Sequence, residues 1–170
     1  MSYTEIKPEE LSGNVFNMIA NDWMLITAEK DGRINTMTAS WGGLGFIWRK
    51  PVAYVFIRPQ RYTMEFVEAS DKLTLSFFGG KCRDALRICG TKSGRDCDKI
   101  AEAGLTPFPT SDGCFAFREA EVIMECSKLY AQNFNAESVI DPAVLNEYKA
   151  GDFHRMFIVS IDRLLIRNSN

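Results

Sequence analysis

The 170 residues are about the length of one domain, and 46% hydrophobic with 25% charged residues is typical of a folded globular protein. Twenty Lys and Arg against 22 Asp and Glu give a net charge of −2. This balance argues against a basic nucleic-acid surface and against a polybasic membrane patch. We therefore expect a single domain over residues 1–170, with no nucleic-acid partner and no membrane association.

Cysteine and histidine usage is equally informative. Five cysteines without a C-x-x-C pair do not suggest a disulfide framework, and the single histidine, His154, leaves no Cys/His metal set. The first ten residues contain acids and no apolar segment, unlike a signal peptide. We expect no metal and a reducing, cytoplasmic location. Apolar stripes predict buried thiols at Cys82, Cys89, Cys97 and Cys126, whereas the surroundings of Cys114 stay open.

The first third of the chain predicts one helix and three strands. Acidic residues after Pro8, with an apolar stripe of Val15, Phe16 and Ile19, predict the helix. Asp31-Gly32 predicts a tight turn between the first two strands. The three strands are predicted over residues 23–28, 34–41 and 52–57.

The remainder predicts alternating short helices and strands. Apolar residues at helical spacing mark helices within residues 62–69, 82–89 and 97–101, with Asp96 as the N-cap and Gly104 just beyond the end of the third. Asp141-Pro142 predicts a helix to about Tyr148. Alternating patterns predict strands over 73–77, 120–126, 153–161 and 164–166, with Glu119, Glu121 and Glu125 on a wet face. The pattern favours a mainly β fold with short helices, an antiparallel barrel of six or more strands.

Three segments suggest a ligand site. Residues 35–41 form a strand of unusually small and polar side chains, against which a flat ligand can lie. Arg58 and Arg61 flank a strand-to-helix junction, an arrangement suited to a phosphate. Lys92 and Ser93, in a loop between two helices, can complete an anion pocket. A polar hairpin face, a solvated arginine loop and an ordinary capped loop explain the same three segments without a ligand.

Common nucleotide and hydrolase motifs do not account for the sequence. Gly42-Gly43-Leu44-Gly45 lacks the spacing of a dinucleotide-binding glycine loop, and Gly79-Gly80-Lys81 lacks that of a P-loop. A G-x-S-x-G nucleophile motif is also missing. The sequence therefore indicates neither a Rossmann dinucleotide site, nor a P-loop, nor a hydrolase nucleophile motif.

Taken in order, the segments 35–42, 58–63 and 93–99 resemble the flavin reductase-like (flavoredoxin) family of FMN-binding split barrels. The resemblance runs from about Trp23 to the final strand, nearly the whole chain. It implies a homodimeric, six-stranded antiparallel split β-barrel that binds FMN without a covalent bond near the dimer interface. The residues it assigns to FMN are Asn35, Thr36, Met37, Thr38, Ala39, Ser40, Trp41, Arg58, Arg61, Tyr62, Thr63, Lys92 and Ser93.

The resemblance also implies an activity. Relatives bind NAD(P)H transiently over the exposed flavin face, which suggests hydride transfer from NAD(P)H to flavin and on to a small-molecule or flavin acceptor. Many relatives carry Gly-Asp-His before the last strand. Here the run is Gly151-Asp152-Phe153-His154, and the extra residue leaves both a catalytic role and a structural role open for His154.

Other functions suit the same residues. A flavoredoxin-type electron carrier, reduced by a partner protein, needs no nicotinamide site. A pyridoxamine-phosphate oxidase-like barrel would need a second basic cluster, which the sequence does not clearly show. A non-catalytic ligand-binding barrel also stays open.

Overall fold

The computed structural model describes residues 2–168, within which ten strands carry most of the fold. Four short α-helices connect them: α1 (Val15–Asn17), α2 (Thr63–Ala69), α3 (Arg83–Thr91) and α4 (Lys99–Glu102). The strands are β1 (Tyr3–Ile6), β2 (Met24–Lys30), β3 (Arg33–Ala39), β4 (Gly42–Ile47), β5 (Lys50–Ile57), β6 (Lys72–Phe77), β7 (Pro107–Ser111), β8 (Cys114–Phe117), β9 (Val122–Asn133) and β10 (Arg155–Arg167).

Eight of these strands form one antiparallel sheet. Its order is β3-β2-β6-β9-β10-β5-β4, and β1 also pairs with β10, while β7 and β8 form a separate hairpin. The predicted mainly β, antiparallel fold with short helices is confirmed. The main sheet has eight strands rather than six, and its closure into a barrel stays a prediction.

The junction between β3 and β4 joins the two ends of the main sheet. These strands are the first and last of the pairing path, yet Ser40 and Trp41 alone separate them in the chain. β2 pairs with β3 through the turn at Asp31 and Gly32, whose φ angles of 53° and 73° confirm the predicted tight hairpin. The chain therefore crosses from one end of the path to the other at Ser40-Trp41.

Two apolar clusters form the interior. One lies under β2, β3, β5, β6 and β10 and includes Phe66 of α2 and Phe157 of β10. The second packs α3, through Leu86 and Cys89, against Leu25 and Phe117. α3 is thereby held beside β3, so its C-terminal end lies next to the small residues of that strand.

Several local predictions need correction. The prediction of one N-terminal helix is wrong. A 3-10 helix at Pro8–Glu10 ends before Gly13, whose φ of 118° interrupts helical backbone. α1 follows and leads into a π-helix, Met18–Asp22. Phe16, expected on the apolar stripe, is 85% exposed. The N-cap of α4 is Asp98, not Asp96, because the Asp98 carboxylate accepts the Ala101 N–H at 3.1 Å. Gly104 lies just beyond the α4 C-cap, as predicted, with φ of 66°.

The last two predicted strands are one. β10 runs unbroken from Arg155 to Arg167, with a register shift between Ile161 and Arg163 that the sequence pattern shows as an interruption. The predicted wet face of β9 is wrong at Glu125, which is 3% exposed and accepts hydrogen bonds from Ser111 at 2.6 Å and Arg163 at 2.8 Å. A 3-10 helix at Pro142–Tyr148, capped by Asp141, replaces the predicted helix at the same place.

Three of the cysteines are buried thiols, but the prediction is wrong for Cys82 and Cys97, which are only partly buried. Cys114, whose surroundings the sequence left open, is buried in β8, and burial raises its pKa. Burial likewise raises the pKa of Cys89, to about 11, and that of Cys126. These thiols are therefore protonated packing groups at neutral pH. No helix within the described part of the chain is long and apolar enough to span a membrane.

Candidate functional site

A cavity of about 230 Å³, which we call the β3 cavity, lies where β3 ends against the neighbouring strands and the end of α3. Its lining comes from four separate stretches of chain. Eight of its ten residues belong to the set that the sequence selected. The lining residues are Met37, Thr38, Ala39, Ser40, Trp41, Phe56, Arg58, Arg61, Gly90 and His154.

The strand side of the β3 cavity offers free hydrogen-bonding groups. The Thr38 hydroxyl donates to the Leu86 carbonyl of α3 and is thereby occupied. By contrast, neither the Ser40 hydroxyl nor the Trp41 indole N–H has a hydrogen-bond partner within residues 2–168. Because small residues line this wall, a flat molecule can approach these donors and the strand backbone.

Asn35 and Thr36 lie outside the lining of the cavity and are buried in hydrogen bonds of the fold. The Asn35 amide donates to the Thr63 hydroxyl at 2.8 Å, which links β3 to the start of α2. The Thr36 hydroxyl donates to the Ile26 carbonyl at 3.0 Å. Buried polar groups require such partners, so both residues support the strand on which the cavity is built.

Arg58 is held by the segment that precedes β10. Its guanidinium pairs with the Asp152 carboxylate and donates to the Glu147 carbonyl at 3.0 Å. The Gln60 amide donates to the same carboxylate at 2.8 Å, and Arg58 stacks over the Tyr148 ring at 5.4 Å. Hydrogen bonds from Arg58 and Gln60 lower the pKa of Asp152, which is therefore ionised at neutral pH.

Arg61 is the cation of the β3 cavity without a carboxylate partner. It donates to the Gly90 carbonyl at 2.7 Å, and none of the ion pairs within residues 2–168 includes it. Burial lowers its pKa, but a guanidinium keeps its charge at neutral pH. A partly desolvated positive charge without a carboxylate beside it favours an anionic ligand.

The remaining residues of the predicted phosphate group lie outside the lining. Tyr62 stacks with Phe66 edge to face at 5.0 Å, and the Arg95 guanidinium lies over its ring at 4.6 Å. Lys92 is exposed and pairs with Glu102, which raises the Lys92 pKa. The Ser93 hydroxyl accepts the backbone N–H of Arg95 at 3.2 Å. The structure thus brings Arg58 and Arg61 to the cavity and leaves Tyr62, Thr63, Lys92 and Ser93 outside its lining.

His154 forms part of the opposite wall. It is 7% exposed, its Nδ1 lies 2.9 Å from the Tyr148 hydroxyl, and its ring centroid lies 5.1 Å from that of Trp41. Burial, with a contribution from the Arg58 charge, lowers its pKa from 6.5 to about 4. At neutral pH the ring is therefore uncharged and acts as a hydrogen-bonding group rather than as a cation.

Phe56, Gly90 and Lys99 were not selected from the sequence. Phe56 lies in an apolar strand and Gly90 in a helix, so neither carries a local signal of a site. Lys99 is 4% exposed and donates to the Cys89 and Lys92 carbonyls at 3.3 Å each, and it lies near enough to Arg61 to feel that charge. Burial lowers its pKa to about 8. Its position depends on the packing of α4 against α3, which sequence spacing does not reveal.

A second, larger cavity adjoins the first. This apolar cavity of about 610 Å³ shares Ser40, Trp41, Phe56 and His154 with the β3 cavity. The rest of its lining comes from the N-terminal helical turns, β4 and the segment before β10: Val15, Phe16, Ile19, Ala20, Gly42, Gly43, Leu44, Phe134 and Tyr148.

Comparison with known proteins identifies the class. A model of the flavin reductase like domain matches residues 16–170, so the chain belongs to that family. None of the curated protein sequences compared matches the chain. The family expected from segments 35–42, 58–63 and 93–99 is thereby confirmed, and FMN is the cofactor associated with this fold.

Several solved structures share the fold of this chain. An FMN-binding domain of a flavin reductases-like enzyme from Shewanella baltica OS155 is 15% identical with a TM-score of 0.71, covering 97% of this chain and 77% of its own. Flavoredoxin of Desulfovibrio vulgaris (Miyazaki F) is 19% identical with a TM-score of 0.68, and the match covers 96% of this chain and 78% of the flavoredoxin. Flavin reductase PheA2 in its native state is 16% identical with a TM-score of 0.62, and the match covers 87% of this chain and 80% of the reductase. At these identities the likeness shows the shared fold.

Proposed function

We propose that this protein binds FMN in the β3 cavity and transfers hydride from NAD(P)H to an acceptor through it. The observation that carries the proposal is Arg61, a partly buried cation without a carboxylate partner in residues 2–168, in the same cavity as the free donors of Ser40 and Trp41. Arg61 would hold the phosphate, and the small residues from Thr38 to Ser40 would face the ring system. FMN, when bound, supplies the hydride-accepting chemistry.

The side chains have supporting roles in this proposal. Ser40 and Trp41 would orient the flavin through their O–H and N–H groups, and Phe56 with Trp41 would shield it from water. His154 would offer an uncharged ring nitrogen. Its pKa of about 4 keeps the imidazole neutral near pH 7, so it would not act as a cationic acid. Hydride transfer itself needs no protein acid or base, which agrees with the lack of a catalytic dyad in the lining.

The test is optical and anaerobic. We expect purified protein to take up FMN, to show a yellow flavin spectrum, and to lose that colour when NADH or NADPH is added without oxygen. Protein that stays colourless after FMN is added would reject the binding proposal. FMN that is bound but remains oxidised with both nicotinamides would reject the reductase proposal alone.

A flavoredoxin-type electron carrier is the second candidate, favoured by the similarity to Desulfovibrio vulgaris flavoredoxin. It would keep the FMN site and receive electrons from a partner protein. Reduction of the bound flavin by such a partner in stopped-flow experiments, with no response to nicotinamides, would select it over the reductase.

Two further properties of the family belong to the proposal. A homodimer is supported by large exposed side chains on the main sheet: Phe46 and Trp48 at the β4–β5 hairpin, and Tyr130 of β9, whose ring lies 6.3 Å from that of Trp48. A cytoplasmic location is supported by five free cysteines. Sedimentation analysis of the purified protein, with a Phe46→Asp and Trp48→Asp double variant for comparison, tests the dimer.

A further inference from the structure

Two basic side chains cap the C-terminal end of α3. A helix leaves its last carbonyl groups without partners of its own, and that end carries a partial negative charge. Here the Gly90 carbonyl accepts from the Arg61 guanidinium at 2.7 Å, and the Cys89 carbonyl accepts from Nζ of Lys99 at 3.3 Å. Lys99 also donates to the Lys92 carbonyl, just beyond the helix, at 3.3 Å. Arg61 and Lys99 are therefore held by the carbonyls of consecutive residues.

Lys99 is a buried base without an acidic partner. It is 4% exposed, and none of the ion pairs within residues 2–168 includes it. The acidic side chains of α4 and its N-cap are engaged elsewhere, since Asp98 caps the helix and Glu102 pairs with Lys92. The charged and titratable groups that act on Lys99 are Arg61, Cys89 and Cys97. Burial lowers the pKa of Lys99 to about 8, so this side chain is mostly charged at about pH 7 and mostly neutral at about pH 9.

We propose that Lys99 is a positioning residue for the anion-binding side of the β3 cavity, where it holds the end of α3 against Arg61 and adds a titratable positive charge. Lys99 does not line that cavity, so it acts through the α3 carbonyls and through its electric field rather than by touching the ligand. That the anion is the phosphate of FMN rests on the proposed function. On that basis, the affinity for FMN should decrease in alkaline solution more than the affinity for riboflavin.

The sign of this dependence follows from the charges involved. Arg61 stays protonated throughout, and a phosphate monoester is a dianion above about pH 7. The Lys99 ammonium attracts that dianion at about pH 7 and loses its charge as the pH rises through its pKa of about 8. The pKa of Cys89 is about 11, and burial also raises the pKa of Cys97, so neither thiol supplies the change.

The preference for FMN over riboflavin isolates this effect, because both ligands carry the same ring system. We expect the wild-type preference to fall at least about threefold between about pH 7 and about pH 9 in fluorescence titrations. Lys99→Arg, whose guanidinium does not titrate, should keep the preference high at both values. Lys99→Met should show a low preference at both. A wild-type preference that is constant with pH, or one that falls equally in Lys99→Arg, would overturn the proposal.

Lys128 provides a matched control, because it caps α2 in the same way. Its Nζ donates to the carbonyls of Val67 at 2.7 Å and Glu68 at 3.3 Å. Burial lowers the pKa of Lys128 as well, and it lines neither the β3 cavity nor the apolar cavity. Lys128→Met should therefore lower the free energy of unfolding, as Lys99→Met should, without changing the preference for FMN. Equal changes of the preference in both variants would show that loss of a helix cap alone is responsible, and the proposal would fail.

Flavin binding and the role of Lys99 can fail separately. FMN that binds with a pH-independent preference over riboflavin would leave the flavin site standing and remove Lys99 from it. Equal weakening of both flavins by Lys99→Met would assign Lys99 a purely structural role, and the proposal would also fail. Wild-type protein that takes up neither flavin would reject the proposed function and the role of Lys99 together.

Discussion

The Tyr148 hydroxyl lies 2.9 Å from Nδ1 of His154, and both side chains are buried. Their rings meet edge to face with centroids 5.6 Å apart, and Tyr148 also stacks on Phe153 at 4.5 Å. This pair fastens the 3-10 helix Pro142–Tyr148 to the start of β10, where His154 lines both cavities. Tyr148 is thus a positioning residue for the one histidine of the chain.

Replacing Tyr148 with Phe should release the imidazole. The hydroxyl distinguishes the two ring nitrogens, so we expect one dominant neutral tautomer in the wild type and a mixture in the variant. Nitrogen NMR measures the populations of the two tautomers directly, because His154 is the only histidine in the sequence. The free energy of unfolding should fall by about 1–3 kcal/mol. The control is Tyr130→Phe, whose exposed hydroxyl donates to Gln132 and should cost less than about 0.5 kcal/mol.

The depressed pKa of His154 makes stability depend on pH. The unfolded chain takes up a proton near the ordinary value of 6.5, whereas the folded protein stays neutral down to about 4. The unfolded state therefore binds more protons between these values. This contribution to stability is complete above pH 6.5 and is lost as the pH falls towards 4, with a slope of at most about 1.4 kcal/mol per unit.

Urea unfolding at several pH values measures this dependence. A His154→Gln variant lacks the titrating ring, so the difference in unfolding free energy between wild type and variant should shrink as the pH falls from about 7 to about 4.5. A difference that is constant over this interval would show that the ring titrates normally in the folded protein.

The charge of Arg61 should matter for FMN and not for riboflavin, which lacks the phosphate. We expect Arg61→Gln to lower the affinity for FMN about ten- to a hundredfold, because one charge-assisted contact contributes about 1.5–3 kcal/mol. Riboflavin affinity should stay within about twofold. Fluorescence titration with both flavins checks this, with Arg87→Gln as control because Arg87 pairs with Asp84 on an exposed helix face. Equal loss for both flavins would remove Arg61 from the phosphate site.

Gly94 should not tolerate a side chain. A Cβ at this position would lie 2.3 Å from Oδ1 of Asn35, whose amide donates to the Thr63 hydroxyl. The Asn35 amide is short and buried, so moving it breaks that bond at a cost of about 1–3 kcal/mol. Thermal unfolding of Gly94→Ala measures the effect. Gly43→Ala, whose Cβ would lie 3.5 Å from the Tyr54 ring, is the control and should change stability by less than about 0.5 kcal/mol.

Much of the architecture was predictable because strand and turn signals are local. The alternation in β6, the continuous apolar run of β5 and the Asp31-Gly32 turn gave correct elements. β4 was missed because its three glycines, Gly42, Gly43 and Gly45, look like a loop, and its strand form depends on pairing with β5. β7 was also missed, because its two prolines argue against a strand and it pairs with β8 alone.

The family and the residue types of the site could be identified from the amino-acid sequence alone. It selected the small strand 37–41, Arg58, Arg61 and His154, which the structure brings around one cavity. Which cations lack a carboxylate partner follows from the folded structure: Arg58 pairs with Asp152 and Lys92 with Glu102, whereas Arg61 has no acidic partner in residues 2–168. Pairing is decided by distances in space, and packing sets those distances independently of spacing in the chain.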